Sequence, residues 1–142
     1  MQYRPIKRAG HGVMDYVLAG FQLAAPTAFG LKGPAKYLSY LFGGTQLAIN
    51  AMTDQPFAAK PAVPFKMHGM LEAGQAPVLL GLPLLLGAMS TPKDRNYFLG
   101  TFAVLTVAYL ATDWNAGPDK RQRPTTHAPS RMYDSERAKQ FA

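Results

Sequence analysis

Four stretches of the chain carry no Asp, Glu, Lys or Arg: Tyr16 to Leu31, Tyr37 to Thr53, Ala73 to Pro92 and Asn96 to Thr112. Each is 16 to 20 residues long. At about 1.5 Å per residue, such a segment extended by its flanking turn matches a hydrocarbon core of roughly 30 Å. A four-helix bundle exposed to water needs a charged outer stripe on every helix, and these segments offer only small, amide, hydroxyl and apolar residues. The pattern predicts an all-α integral membrane four-helix bundle. A mean hydropathy of −0.08 is polar for that class; the hydrophilic stretch after Trp114 and the abundant Gly and Ala account for it.

The chain also repeats itself. A shift of 57 residues lays His11 on His68, Gly12 on Gly69, Asp15 on Glu72, Pro26 on Pro83 and Gly30 on Gly87. The second helix of each half ends alike, Met52-Thr53-Asp54 against Ala111-Thr112-Asp113, displaced by 59. Two duplicated helical hairpins follow, related by a pseudo-two-fold axis. The predicted organisation is a basic N-terminus (1–9), a first hairpin (10–54), a loop (55–66), a second hairpin (67–114) and a polar basic tail (115–142).

With its His-Gly-x-x-acid openings and duplicated hairpin, the chain from Arg8 to Trp114 resembles the SPW-repeat family of small bacterial membrane proteins. The prolines of its tripeptides stand at Pro26 and Pro83, within Ala25-Pro26-Thr27 and Leu82-Pro83-Leu84. The resemblance implies the hairpin fold and supplies no activity.

Charge refines the picture. The formal net charge is +7, but the basic residues collect at the N-terminus (Arg4, Lys7, Arg8), the middle loop (Lys60, Lys66) and the tail, with fewer near Lys32, Lys36, Lys93 and Arg95. That asymmetry predicts both termini in the cytoplasm of a multi-pass protein of the bacterial inner membrane, and it argues against nucleic acid as a partner. The absence of cysteine excludes disulfides, thiolate metal sites and iron–sulfur clusters. No Gly-rich phosphate loop occurs, and no serine has a histidine placed to activate it. The expectation is a protein that is not an enzyme and that needs no cofactor.

The polar residues of interest are His11 with Asp15 and His68 with Glu72, each pair four apart and sharing a helix face, together with Asp54 and Asp113 at the ends of the partner helices. These six are expected to form a structural polar cluster between the hairpins. The competing readings are His11 and His68 as cofactor ligands of a haem or chlorophyll, and a metal bound by the histidines and carboxylates. The tail supplies expected contacts to partner subunits or anionic lipid headgroups through Lys120, Arg121, Arg123, Arg131, Tyr133, Arg137 and Phe141. The overall expectation is an accessory or structural subunit of a larger bacterial membrane complex, respiratory or photosynthetic. The alternatives are a histidine-based cofactor bundle and a small transporter.

Overall fold

The computed structural model describes residues 4–118 and is all-helical there: α1 (Arg8–Ala28), α2 (Gly33–Met52), α3 (Phe65–Leu85) and α4 (Pro92–Ala111). Two short turns close the hairpins at one end of the bundle. Both first helices stop in the same way. Gly30 (φ 60°) and Gly87 (φ 67°) adopt left-handed backbone. The amide of the next residue then reaches back five positions, Leu31 N to Pro26 O at 3.0 Å and Ala88 N to Pro83 O at 2.8 Å. This is the Schellman arrangement, which glycine permits without a Cβ clash. The two prolines of the repeat sit where their carbonyls accept these bonds, and α3 continues unbroken through both Pro77 and Pro83. Thr91 caps α4 by accepting from Asp94 N, and Pro at the first turn opens both α2 and α4.

At the opposite end the hairpins exchange short parallel bridges, Ile6 with Thr112 and Val63 with Thr53. Ile6 N donates to Ala111 O and Asp113 N to Ile6 O; Val63 N donates to Met52 O and Asp54 N to Val63 O. Ile6 and Val63 are 57 apart, so the duplication read from the sequence is also a structural one.

The two hairpins do not pack alike. A Cβ at Gly43 of α2 would lie 3.0 Å from Gln22 Cβ and 3.1 Å from the Ala19 carbonyl oxygen. The glycine therefore lets α1 and α2 close together. The corresponding residue of α4, displaced by 59, is Phe102, and a cavity of about 240 Å³ opens there between α3 and α4. Leu18, Ala25, Leu38, Phe42, Leu79, Phe98 and Leu105 form the shared apolar core.

One expectation is corrected. Among the described residues no helix is long and apolar enough to cross a membrane, so the multi-pass inner-membrane location and the orientation with cytoplasmic termini do not hold. The uncharged runs overstate the spans because they continue past the helix ends. Only Tyr16 to Ala28, Tyr37 to Met52, Ala73 to Leu85 and Asn96 to Ala111 are both uncharged and helical. These stretches cover roughly 20–24 Å at 1.5 Å per residue. Inside them, Gln22, Ser39, Gln46, Asn50 and Gln75 lower the apolarity further.

Candidate metal centre

Where α1 and α3 begin and α2 and α4 finish, four side chains converge. His11 and Asp15 are 1% and 2% exposed, His68 is 4% exposed, and Glu72 is mostly buried. His11 Nε2 lies 3.4 Å from His68 Nε2 and 3.3 Å from Asp15 Oδ2. His68 Nε2 is 3.0 Å from the same Asp15 oxygen, and His11 Nε2 is 3.4 Å from Glu72 Oε2. One ligand atom from each of His11, Asp15 and His68 fits within 4.8 Å of the others. The one-turn spacing places Asp15 beside its own histidine, whereas Glu72 approaches His11 of the other hairpin. The bundle then lays the two pairs face to face.

The outer ring nitrogens fix which way the lone pairs point. Thr112 donates its hydroxyl hydrogen to Ala108 O at 2.6 Å, so its oxygen is left to accept from His11 Nδ1–H at 2.9 Å. Thr53 does the same, donating to Ile49 O at 2.7 Å and accepting from His68 Nδ1–H at 2.7 Å. The network thus assigns the proton to Nδ1 on both rings. Each neutral imidazole turns its bare Nε2 lone pair inward, toward the other ring and the carboxylates. The contacts cross between hairpins: the first hairpin's histidine is held by the second hairpin's threonine, and the reverse.

Charge sharpens the arrangement. Burial opposes ionisation of Asp15; once a proton sits between its carboxylate and the two Nε2 atoms, hydrogen bonding to His11 and His68 and their charge outweigh that cost and hold the carboxyl down at about 2. Burial, and after it the Asp15 charge, pushes Glu72 up to about 8. The centre accepts one negative charge readily and resists a second. Two facing nitrogen lone pairs and two carboxylates call for a cation or for protons between them.

The shell around these groups is closed on the side of the loops. His11 packs edge-on against Trp114, ring centroids 4.6 Å apart, and against Phe65 at 5.7 Å. The glycine after each histidine is required by this cover. A Cβ on Gly69 would stand 2.6 Å from the Trp114 ring, and one on Gly12 2.5 Å from Gln55 Oε1. Gln46 Nε2 donates to Asp15 Oδ1 at 3.1 Å and Asn50 Nδ2 to Gly12 O at 2.9 Å.

Of the six residues expected to cluster, His11, Asp15, His68 and Glu72 do so. Asp54 and Asp113 stay outside: Asp54 pairs with Arg8 at 2.7 Å and Asp113 with Lys7 at 2.7 Å. Both lie beyond the buried centre because their helices end at the preceding threonine. The reading of His11 and His68 as haem or chlorophyll ligands fits poorly, since carboxylate oxygens and the second ring occupy the space in front of each Nε2 where a macrocycle would stand. The expected tail contacts Lys120, Arg121, Arg123, Arg131, Tyr133, Arg137 and Phe141 lie outside the described residues. Sequence reasoning overlooked Thr53, Thr112, Gln46, Phe65 and Trp114 as members of the site. The signal for the threonines was present in the matched Thr-Asp helix ends. No family model, curated protein or solved structure matches the chain.

Proposed function

We propose that the protein is a divalent transition-metal-binding helical bundle, with His11 Nε2, His68 Nε2, Asp15 and Glu72 as ligands. The observation that carries this reading is the pair of threonine hydroxyls committed to backbone carbonyls, which turn both Nε2 lone pairs toward one point. Histidines whose second nitrogen is fixed by an outer partner are typical of metal sites, and two imidazoles with two carboxylates suit zinc, iron(II) or manganese(II). A bound cation also offsets the cost of ionising Glu72 beside Asp15. By joining α1 to α3, it would hold the two hairpins together.

Equilibrium dialysis of the full chain against zinc(II), iron(II) and manganese(II), followed by elemental analysis, tests this. One ion per chain is expected, with affinity reduced at least 100-fold in His11→Ala and His68→Ala. Failure of all three metals to bind stoichiometrically, or binding that survives both substitutions, overturns it.

A second reading, an accessory subunit of a larger assembly, draws on a different observation. Large apolar side chains are exposed on all four helices, among them Val17, Phe21, Leu41, Met70, Leu84 and Val107. A groove of about 820 Å³ between α1 and α4 is lined by Val13, Val17, Phe21 and Val104. Apolar surface this continuous favours covering by another molecule. Migration of the purified chain as a lone monomer, without added amphiphile or partner, would count against this reading.

A further inference from the structure

The duplication is broken at the point that matters for the centre. Gln46 of α2 binds Asp15 and so fixes the first carboxylate. Its counterpart in α4 is Leu105, and the counterpart of Asn50 is Tyr109. Glu72 is consequently left with no hydrogen-bond partner on either oxygen, although both are buried. The cavity between α3 and α4 lies against this carboxylate and is bounded by Glu72, Gln75, Ala76, Phe102, Leu105 and Tyr109. A separate void of about 10 Å³ touches Asp15, Gln46, His68, Glu72 and Gln75, enough for one water. Gln46 Oε1 is a buried acceptor with no donor in reach.

We infer that the metal centre is an exchangeable one: a fifth position, held at rest by a water that donates to Gln46 Oε1, takes small neutral donor ligands arriving through the α3–α4 cavity past Glu72. This rests on the metal-binding reading above. The unpartnered carboxylate is the ligand free to swing, since no hydrogen bond holds either of its oxygens, whereas Asp15 Oδ1 is tied to Gln46. The divalent cation and two carboxylates sum to zero charge, and the cavity walls are chiefly apolar. An anion would have to shed its hydration for no net attraction, so a neutral donor is favoured.

The test uses the cobalt(II)-loaded full chain, whose visible ligand-field spectrum reports coordination, with imidazole and azide as probes. Imidazole is expected to shift the spectrum saturably with cobalt retained, and azide to leave it unchanged. Ala76→Phe, which fills the cavity, should weaken imidazole binding at least tenfold at unchanged cobalt content. Leu105→Gln, which gives Glu72 the partner that Asp15 already has, should weaken it in the same direction without filling space. If cobalt binds one per chain but imidazole leaves the spectrum unchanged, extracts the metal, or binds equally to both variants, the exchangeable site is overturned and the metal-binding reading stands. Binding of azide in preference to imidazole overturns the neutral-ligand assignment. If cobalt does not bind at all, both readings fall together.

Discussion

Gln46 and Leu105 occupy the same place in the two hairpins, and only the first can bind a carboxylate. From that single difference the two acids of the centre diverge: Asp15 carries a hydrogen bond from Gln46 at 3.1 Å, and Glu72 carries none. Duplication built a symmetric frame of two histidines and two threonines, and one divergent position made one ligand fixed and the other free.

The outer threonines set the histidine tautomers, so their removal should be felt at the metal. Thr53→Val and Thr112→Val leave the ring an unpaired Nδ1–H and permit the other tautomer. Each is expected to weaken metal affinity about 10- to 100-fold while helical content by circular dichroism stays the same. Unchanged affinity in both variants would mean that the hydroxyls do not orient the rings.

Metal-free protein should lose stability as pH rises. Glu72 is raised from 4.5 to about 8, so the folded state holds a proton that the unfolded chain releases between those values. Its contribution is fully present below about pH 4.5 and is lost as pH climbs toward 8. Asp15 is lowered from 3.8 to about 2, so its contribution is lost only as pH falls below about 4. Urea midpoints of the metal-free chain should therefore decline from pH 5 to pH 8. Glu72→Gln should flatten that decline. A wild-type midpoint that rises over this interval contradicts the assignment.

Gly69→Ala should destabilise more than Gly12→Ala. The new methyl at residue 69 meets ring atoms of Trp114 at 2.6 Å, whereas at residue 12 it meets the end of the Gln55 side chain. An indole held between Tyr109 and His11 has less room to move than an amide. Overpacking of this kind costs about 1–3 kcal/mol, read as a lower thermal midpoint for Gly69→Ala. Equal midpoints for the two variants would show that Trp114 yields as easily as Gln55.

Gly30→Ala and Gly87→Ala force a Cβ into left-handed backbone at the equivalent hairpin turns. Each is expected to cost about 1 kcal/mol. The effects should add in the double variant, because the bond that joins the two ends, Lys93 Nζ to Gly30 O at 2.8 Å, is displaced by neither new Cβ. Calorimetric midpoints test this, and a double variant no worse than either single one would refute it.

Much of the local design was legible in the chain. The four helices and the His–acid pairs one turn apart depend on patterns spanning a few residues, and the duplication on positions matched at a fixed shift; both are written directly in the sequence. The length of uncharged chain was legible too, but its conversion into membrane spans failed. The uncharged runs include turns as well as helix, and among the described residues no helix is long and apolar enough to cross a membrane.

What only the tertiary structure decided is the partnership across the bundle. His11 gives its outer hydrogen bond to Thr112, 101 residues away, and His68 gives its own to Thr53 of the other hairpin. The direction of an imidazole lone pair depends on those distant hydroxyls, which no periodicity in α1 or α3 encodes. Asp54 and Asp113 likewise look equivalent to Asp15 and Glu72 by composition and fall outside the centre, because their helices end two residues earlier and Arg8 and Lys7 pair with them there. Spacing along a helix determined which side chains share a face; the crossing of the two hairpins determined what that face meets.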